Sequence, residues 1–409
     1  MTEPLRSPIK PLSTVWPDGS AVFWENNASS LSLQAALWNP KSASDHNHND
    51  VNAIHLSAFG ESIIRNVGYN GWGAGCDGAT WSYVHDTAVS NNVVLVSGKD
   101  HTAKYGSGIS SSFTNPLFDF ASGGSGSALP KKTHNRNLIF IHPQDGAGGY
   151  YAILDEVSSL SGQDIVNVAL HPDSNNYSIT SDKTEYNWTV NHYSGNDAKV
   201  AIFLGTTPTK VEIKDGALCG QESAGDISIV GKYLYSSYKP DSGSSIKNIV
   251  TIIYPHNADN SKSTMTRVSA SGMTGATSAH ASSTDYFLES NGLTTIFYLG
   301  ISFRGVATVY RKNSVGETKF YFVRKGRSFN DGSPVRQGFD SALSDITFYT
   351  REGSGSIISP GTDVTFYHPN ITGVRLNGSS QAVLLSGNGW VKINVPNGTH
   401  KIDYVVTPF

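Results

Sequence analysis

Two histidines separated by one residue lie in a run of six polar residues. His46 and His48 lie in the run Asp45-His46-Asn47-His48-Asn49-Asp50. On a β-strand, residues i and i+2 point to the same face, so the two imidazoles would converge with Asp50 on one side. This set suits metal binding or acid–base chemistry, because histidine titrates near neutral pH. The competing interpretation is a run of polar loop residues without a chemical role.

Further reactive and aromatic groups follow within about sixty residues, on the turns between short strand-like segments, where an all-β scaffold usually carries a site. Tyr69 and Tyr83 supply phenols, and Trp72 supplies a flat ring that could stack on a sugar. The other polar candidates in this part of the chain are Asn66, His85 and Asn91. With 19 tyrosines in the chain, any single phenol must be weighed against a structural role.

The elements that position these groups are predicted to be strands. Short runs rich in Val, Ile, Tyr, Phe and Thr recur between Gly, Asn, Asp, Ser and Pro, and no run has helical periodicity. So many strands require two stacked sheets. We therefore expect an all-β protein, with a large two-sheet antiparallel β-sandwich over residues 1–325 and a small C-terminal β-unit over residues 326–409. Val391, Ile393 and Val395 alternate with polar residues, as in a half-exposed strand.

Residues 104–132 are rich in Gly and Ser and include Ser122-Gly123-Gly124-Ser125-Gly126-Ser127. This composition predicts a long surface loop, which is either disordered or a flap over a groove.

Composition excludes several classes of protein. Charged residues make up 15% of the 409 residues, and the formal net charge of −3 comes without a basic cluster, which argues against nucleic-acid binding. No apolar run reaches the ~20 residues of a membrane span, and the N-terminus does not resemble a signal peptide. Cys76 and Cys219 are either one long-range disulfide or two free thiols.

The order of these elements resembles the heparinase II/III-like polysaccharide lyases, and in particular their β-sandwich part. The resemblance rests on a His-x-His-x-Asp run, a hydrophobic strand, a Gly-Tyr turn and a strand that ends in Gly98. It implies that His46 lies in the substrate cleft and that His48 corresponds to a ligand of a structural zinc. The other two family ligands align with Asn66 and Asn91, and a neutral amide is a poor zinc ligand.

We therefore predict no metal and no cofactor, with Asn66 and Asn91 bracing His48 through hydrogen bonds. An alternative alignment places the family's last ligand at His85, in His85-Asp86-Thr87-Ala88-Val89, and would restore one imidazole. The Asn91 alignment is preferred because Val94-Leu95-Val96-Ser97-Gly98 fits the following strand better.

The resemblance implies cleavage of an acidic, uronate-containing polysaccharide by β-elimination. His46 is the best candidate to act as base or to contact the substrate carboxylate, and Tyr83, followed by Tyr69, is the candidate acid or base. Substrate-binding candidates are His48, Asn66, Trp72, His85 and Asn91. The alternatives are a non-catalytic carbohydrate-binding or structural β-sandwich protein and a virion or cell-surface protein without a glycan role.

Relatives usually carry an N-terminal helical toroid that forms the other half of the cleft. Because this sequence starts at the edge of the sandwich, we expect that toroid to be on another chain or to have been removed, or this chain to be a degenerate relative. The expected location is extracellular or periplasmic, although the sequence shows no signal peptide.

Overall fold

The computed structural model describes residues 13–25, 29, 31–43, 48–66, 87–191, 197–218, 229–259, 261–290, 294–333 and 336–407. Strands dominate these residues, and the helical structure among them is one 3-10 turn, Ala88–Ser90. No helix within the described ranges is long and apolar enough to cross a bilayer. The prediction of an all-β antiparallel protein is confirmed.

The chain folds into two compact units. Unit 1 comprises Met1–Gln144 and Gly148–Lys262, and unit 2 comprises Asp145–Ala147 and Ser263–Phe409. Apart from Asp145–Ala147, the units divide after Lys262. The domain division at residue 325 that the sequence suggested stays a prediction. The Gly- and Ser-rich residues near 326–344 hold short strands of the unit 2 sheet, so they mark turns within one sheet.

Unit 1 contains three antiparallel sheets. A five-stranded sheet has the order β1-β2-β3-β4-β5, an eight-stranded sheet has the order β12-β13-β14-β17-β10-β9-β8-β7, and a four-stranded sheet has the order β15-β16-β11-β6. The strands are β1 (Thr14–Trp16), β2 (Ser20–Trp24), β3 (Gln34–Trp38), β4 (Ala53–Ala58), β5 (Glu61–Ile64), β6 (Val94–Val96), β7 (Ile109–Asn115), β8 (Phe118–Gly124), β9 (Thr133–Ile141), β10 (Tyr150–Ser158), β11 (Val166–Leu170), β12 (Tyr177–Ile179), β13 (Glu185–Val190), β14 (Ala198–Leu204), β15 (Lys210–Leu218), β16 (Ile229–Tyr238) and β17 (Lys247–His256).

One hydrophobic core joins the three sheets of unit 1. It contains Phe23 of the five-stranded sheet, Ile153 and Ile253 of the eight-stranded sheet, and Val168 of the four-stranded sheet. Strands β10 and β17 pair along most of their length at the centre of the largest sheet. Their side chains are buried almost throughout, as expected for strands covered on both faces.

Unit 2 is built on a single antiparallel sheet of 15 strands. These are β18 (Thr264–Ala270), β19 (Met273–Ala279), β20 (Ser283–Ser290), β21 (Ile296–Tyr298), β22 (Ile301–Arg304), β23 (Ala307–Asn313), β24 (Thr318–Gly326), β25 (Ser328–Asn330), β26 (Gly338–Ser341), β27 (Ile346–Arg351), β28 (Ser354–Tyr367), β29 (Ile371–Leu376), β30 (Ser379–Ser380), β31 (Leu385–Gly387) and β32 (Trp390–Val406). The predicted alternation on β32 is confirmed, because Val391, Ile393 and Val395 are fully buried and the residues between them are not.

The Gly- and Ser-rich stretch 104–132 is not the long surface loop that its composition predicts. It contains β7 and β8, which form a hairpin at the edge of the eight-stranded sheet. All seven residues of β8 are buried. Its glycines are needed where other chain segments approach closely, a requirement that composition alone does not distinguish from loop structure.

Candidate functional site

The predicted site stretch is described only in part. His48, Asn66 and Asn91 lie within the described residues. His46, Tyr69, Trp72, Tyr83 and His85 lie outside them, so their roles stay predictions. What the structure describes is the protein around the two segments, residues 44–47 and 67–86, that carry these candidates.

A buried asparagine pair joins the two ends of segment 67–86. Asn66, directly before the segment, accepts hydrogen bonds through Oδ1 from the backbone N–H of Asn92 (2.9 Å) and from Asn92 Nδ2 (3.0 Å). Asn92 Nδ2 also donates to the carbonyl of Ile54 on β4 (3.0 Å), and Asn92 Oδ1 accepts from the backbone N–H of His171 (2.6 Å). Asn92 therefore connects β4, the end of β5 and the residue after β11.

Asn91 holds the 3-10 turn that follows the same segment. Its Nδ2 donates to the hydroxyl of Ser90 (3.2 Å) and to the carbonyl of Thr87 (3.4 Å), and Asp100 accepts from the backbone N–H of Ala88 (2.7 Å). The described hydrogen bonds of Asn66 and Asn91 thus fix the backbone around the segment. The proposed bracing of His48 by these amides stays a prediction.

An arginine on β9 links this region to the eight-stranded sheet. Arg136 is fully buried and lies directly opposite Asp155 of β10. Its Nε and Nη2 donate to the two carboxylate oxygens of Asp155 at 2.8 and 3.0 Å. Its Nη1 donates to the carbonyls of Asn52 (2.9 Å) and Asn92. One guanidinium therefore connects the residues that follow segment 44–47 with those that follow segment 67–86.

A histidine beside Arg136 completes a directional hydrogen-bond chain. His134 Nε2 lies 2.8 Å from Asp155 Oδ1, and its Nδ1 lies 3.3 Å from Asn52 Nδ2. Burial lowers the pKa of His134, so the ring is neutral. With its proton on Nε2, it donates to Asp155 and accepts from Asn52, and Asn52 Oδ1 in turn accepts from Asn39 Nδ2.

Electrostatic interactions keep Asp155, the final acceptor of this hydrogen-bond chain, ionised. Burial raises the pKa of Asp155, but the charge of Arg136 and the hydrogen bond from His134 outweigh burial and lower that pKa to about 2. The pair is a buried Arg–carboxylate contact with both partners in bidentate geometry. Its hydrogen bonds to the carbonyls of Asn52 and Asn92 indicate a structural role that fixes the backbone after each of the two segments.

Glycines make room for the asparagines of this chain. Asn39 Nδ2 donates to the carbonyl of Gly124 (2.8 Å), and Asn39 Oδ1 accepts from the backbone N–H of Gly108 (2.9 Å). A Cβ at Gly123 would lie 2.4 Å from Asn52 Oδ1, and a Cβ at Gly106 would lie 2.3 Å from Asn39 Oδ1. The Gly-rich stretch is thus a cradle for two buried amides.

Asp50 is a carboxyl group with an unusual environment next to His48. Burial raises the pKa of Asp50 to about 7, while its backbone hydrogen bond, the Trp38 side chain and the charge of Lys104 act in the opposite direction. Asp50 Oδ1 has no hydrogen-bond partner among the described residues. The carboxyl group therefore changes its charge near neutral pH, a property that the residue pattern alone did not indicate.

The described residues do not fit the zinc site that the resemblance implies. Asn66 Oδ1 already accepts two hydrogen bonds from Asn92, and a neutral amide oxygen is a weak zinc ligand. Among the residues that the structure describes, no group of three or more His, Cys, Asp and Glu side chains could hold a metal ion. The absence of zinc stays a prediction, and no chemical step below is assigned to a metal.

The sequence matches the model of the family described as heparinase II/III-like, C-terminal, over residues 10–226. The chain belongs to the heparinase II/III-like family. The match covers more than half of the 409 residues and includes both the polar stretch and the residues of the buried hydrogen-bond network. No curated protein sequence matches the chain significantly.

Solved structures support the fold of this family member. A crystal structure of heparinase III superposes with a TM-score of 0.53 at 14% identity, over 76% of this chain and 42% of that one. A heparinase III described as the BT4657 gene product gives 0.52 at 13% identity, over 74% and 42%. The heparan sulfate lyase HepC from Pedobacter heparinus gives 0.51 at 14% identity, over 68% and 41%. The chain thus spans less than half the length of these structures.

Sequence reasoning missed the residues that hold the heparinase-like site together. His134 and Arg136 lie near the start of β9, in the polar run Thr133-His134-Asn135-Arg136-Asn137 that precedes its apolar residues. A signal was present, because His134 and Arg136 have the i, i+2 spacing of one strand face. Asn92 was passed over in favour of its neighbour Asn91, since sequence order does not show which of two adjacent amides faces the core.

Proposed function

We propose that the chain is the β-sandwich part of a polysaccharide lyase that cleaves a uronate-containing glycan by β-elimination. The family match over residues 10–226 carries the proposal, because it includes the His46-x-His48-x-Asp50 run. The buried network supports it. Arg136 binds the carbonyls of Asn52 and Asn92, which follow the segments that carry His46, Tyr69 and Tyr83. Asn92 also binds Asn66, directly before the second segment.

In the proposed reaction a base removes the proton on the carbon next to the uronate carboxylate. The carbon–oxygen bond to the leaving sugar breaks, a carbon–carbon double bond forms, and the leaving oxygen receives a proton from an acid. We assign the base or the contact with the carboxylate to His46, and the phenolic acid or base to Tyr83, with Tyr69 as second choice. Binding is assigned to His48, Asn66, Trp72, His85 and Asn91.

The hydrogen bonds of two of these binding residues limit what they can contribute. Asn66 Oδ1 is occupied by Asn92, and Asn91 Nδ2 points to Thr87 and Ser90. We propose that they contribute to substrate binding indirectly, by fixing the backbone around segment 67–86. The substrate contacts then fall to the imidazoles and to Trp72.

A complete lyase cleft also needs its other wall. We propose that a helical toroid, on a separate chain or in a longer form of this protein, covers the sandwich during catalysis. The chain spans 42% of the heparinase III structure, which leaves room for such a part. Since polysaccharides of this kind are extracellular, we propose an extracellular or periplasmic location.

The second candidate function is carbohydrate binding without cleavage. It is favoured by one observation, the neutral amides at Asn66 and Asn91 where the resemblance implies ionisable zinc ligands. A protein that keeps the scaffold and loses these groups could hold a glycan without breaking it.

The test is a screen of the purified chain against heparan, chondroitin, hyaluronan and alginate, following the ultraviolet absorbance of the unsaturated product, with binding measured in parallel. The lyase proposal expects an increase in absorbance with at least one polymer and its loss in His46→Ala. His400→Ala, at a half-buried position of β32 in unit 2, is the matched control and is expected to keep activity. Binding without product favours the second candidate, and activity that survives His46→Ala excludes the role given to His46.

A further inference from the structure

One face of the unit 2 sheet carries a row of polar side chains on three neighbouring strands. In the register of β26, β28 and β32, Asp340 lies opposite Thr365, which in turn lies opposite Lys392. Two residues further along these strands, Asp363 of β28 lies opposite Asn394 of β32. Because side chains alternate along a strand, these residues share one face, while Val364 and Ile393 point into the core.

This face contains an open cleft of about 470 Å³. Its walls are made by Asp340, Ser341, Ala342, Thr362, Asp363, Thr365, Lys392 and Asn394. Every wall residue except Ala342 has a polar side-chain atom. The cleft lies outside residues 10–226, so the match to the heparinase-like family does not account for it.

The charges of the cleft are paired with each other. Asp363 lies 3.1 Å from Lys392 Nζ and also accepts a hydrogen bond from Asn394 Nδ2 (3.1 Å). At the other end Asp340 accepts from Arg336 Nη2 (2.8 Å) and from the hydroxyl of Tyr367 (3.0 Å). Each of the two carboxylates is therefore paired with a cation, Lys392 in the wall and Arg336 outside the wall residues.

These groups remain within reach of a ligand. The side chains of Asp340, Asp363 and Lys392 are 43%, 38% and 32% exposed. A carboxylate with a second lone pair and an ammonium with three protons can bind a further partner while keeping their ion pair. At the Asp340 end, the Arg336 guanidinium stacks 3.6 Å above the ring of Tyr367, which fixes the carboxylate between two donors.

We propose that this cleft binds a neutral oligosaccharide, independently of the lyase site in unit 1. Each sugar hydroxyl both donates and accepts hydrogen bonds, which matches a wall of carboxylate, amide, hydroxyl and ammonium groups. An apolar ligand would leave these groups without water or partners. A polyanion would gain no net attraction, because the wall carries two carboxylates and one ammonium group. The site would hold the protein on a neutral part of its glycan.

The test measures binding of the full chain to tetra- to hexasaccharides of glucose, mannose, galactose and N-acetylglucosamine by calorimetry. We expect one series to bind, and Asp363→Ala and Asn394→Ala each to weaken it about tenfold or more, since each removes a hydrogen-bond partner, charged in the case of Asp363. Asp403→Ala, nine residues beyond Asn394 on the same strand, is the matched control and should leave affinity unchanged. Thermal unfolding of each variant verifies that unit 2 is folded.

Two results would overturn the proposal. One is the absence of binding to every neutral series. The other is binding that Asp363→Ala and Asn394→Ala leave intact, which would place the sugar elsewhere. Because the probes carry no uronate, these outcomes are separate from success or failure of the lyase screen.

Discussion

Arg136 and Asp155 lie directly opposite each other on β9 and β10 and are joined by two hydrogen bonds of 2.8 and 3.0 Å. Both side chains are buried. The remaining guanidinium nitrogen binds the carbonyls of Asn52 and Asn92. The ion pair is thus the point at which the eight-stranded sheet fixes the backbone around the heparinase-like motif.

Asp155→Asn should destabilise the protein by about 3–5 kcal/mol, because it leaves the buried charge of Arg136 without its counter-ion. The control is Asp18→Asn, which removes one side of the exposed Lys41–Asp18 pair and should change stability by less than about 1 kcal/mol. Urea unfolding of both variants at neutral pH measures the difference. Equal effects of the two substitutions would contradict the role given to the buried pair.

The same pair predicts a loss of stability in acid. The pKa of Asp155 falls from 3.8 to about 2 on folding, so the unfolded chain binds a proton at higher pH than the native one. The stabilisation is complete above about pH 4 and is lost as the pH falls towards 2. The free-energy difference between wild type and Asp155→Asn should therefore narrow over that range in unfolding titrations. A difference that stays constant from pH 5 to pH 2 would show that Asp155 is not held ionised by Arg136.

The fold class could be predicted from the sequence because the residue patterns typical of strands recur along the chain. Alternation on β32 and the apolar runs of β10 and β17 are local properties, and each strand carries its own signal. The three-sheet division of unit 1 has no such signal, since pairing partners such as β14 and β17 are far apart in the chain. The Gly-rich β8 was predicted to be a loop. Its Gly123 is required because Asn39 and Asn52, which lie far away in sequence, leave no room for a Cβ.

The sequence located the candidate site only as one continuous segment of the chain, without the distant residues that contact it. The motif His46-x-His48-x-Asp50 marks the region because the residue types themselves can do chemistry. Arg136 and Asp155 could not be connected to it, since they are over eighty residues away and no local pattern predicts that Arg136 binds the carbonyls of Asn52 and Asn92. The raised pKa of Asp50 likewise depends on burial, which only the folded chain provides.

Gly123→Ala should destabilise unit 1 by about 1–3 kcal/mol, the usual effect of adding a methyl group to a filled site. The new Cβ would lie 2.4 Å from Asn52 Oδ1 and 2.8 Å from Asn39 Nδ2. Gly162→Ala is the control, because its Cβ would meet no atom within 4 Å. It should stay within about 0.5 kcal/mol of wild type in urea unfolding. A neutral Gly123→Ala would mean that the two asparagines can move aside.

Removal of metal should leave the protein unchanged. Asn66, which the resemblance aligns with a zinc ligand, is a neutral amide whose Oδ1 accepts two hydrogen bonds from Asn92. We expect elemental analysis of the purified chain to show no stoichiometric zinc, and a chelator to leave the unfolding temperature as it was. One tightly held zinc per chain, with a lower unfolding temperature after its removal, would contradict this and favour the alignment through His85.

Asp50 should make the protein less stable as the pH rises from about 4 to about 7. Burial raises its pKa from 3.8 to about 7, so over this range the native state keeps a proton that the unfolded chain has lost. Proton release then favours unfolding, and the effect levels off above pH 7, where both states are ionised. This direction is opposite to that of Asp155.

Asp50→Asn removes the titration and keeps a group of similar shape. A shift of three pKa units corresponds to about 4 kcal/mol, and partial solvent access at Asp50 reduces the expected gain to about 1–3 kcal/mol at pH 8. At pH 4 the variant and wild type should unfold at the same urea concentration. Asp18→Asn is the control, because it shows how removal of an exposed carboxylate changes the dependence of stability on pH. If Asp50→Asn were destabilising at pH 8, the carboxylate would have to be ionised and paired in the native state, and the burial argument would fail.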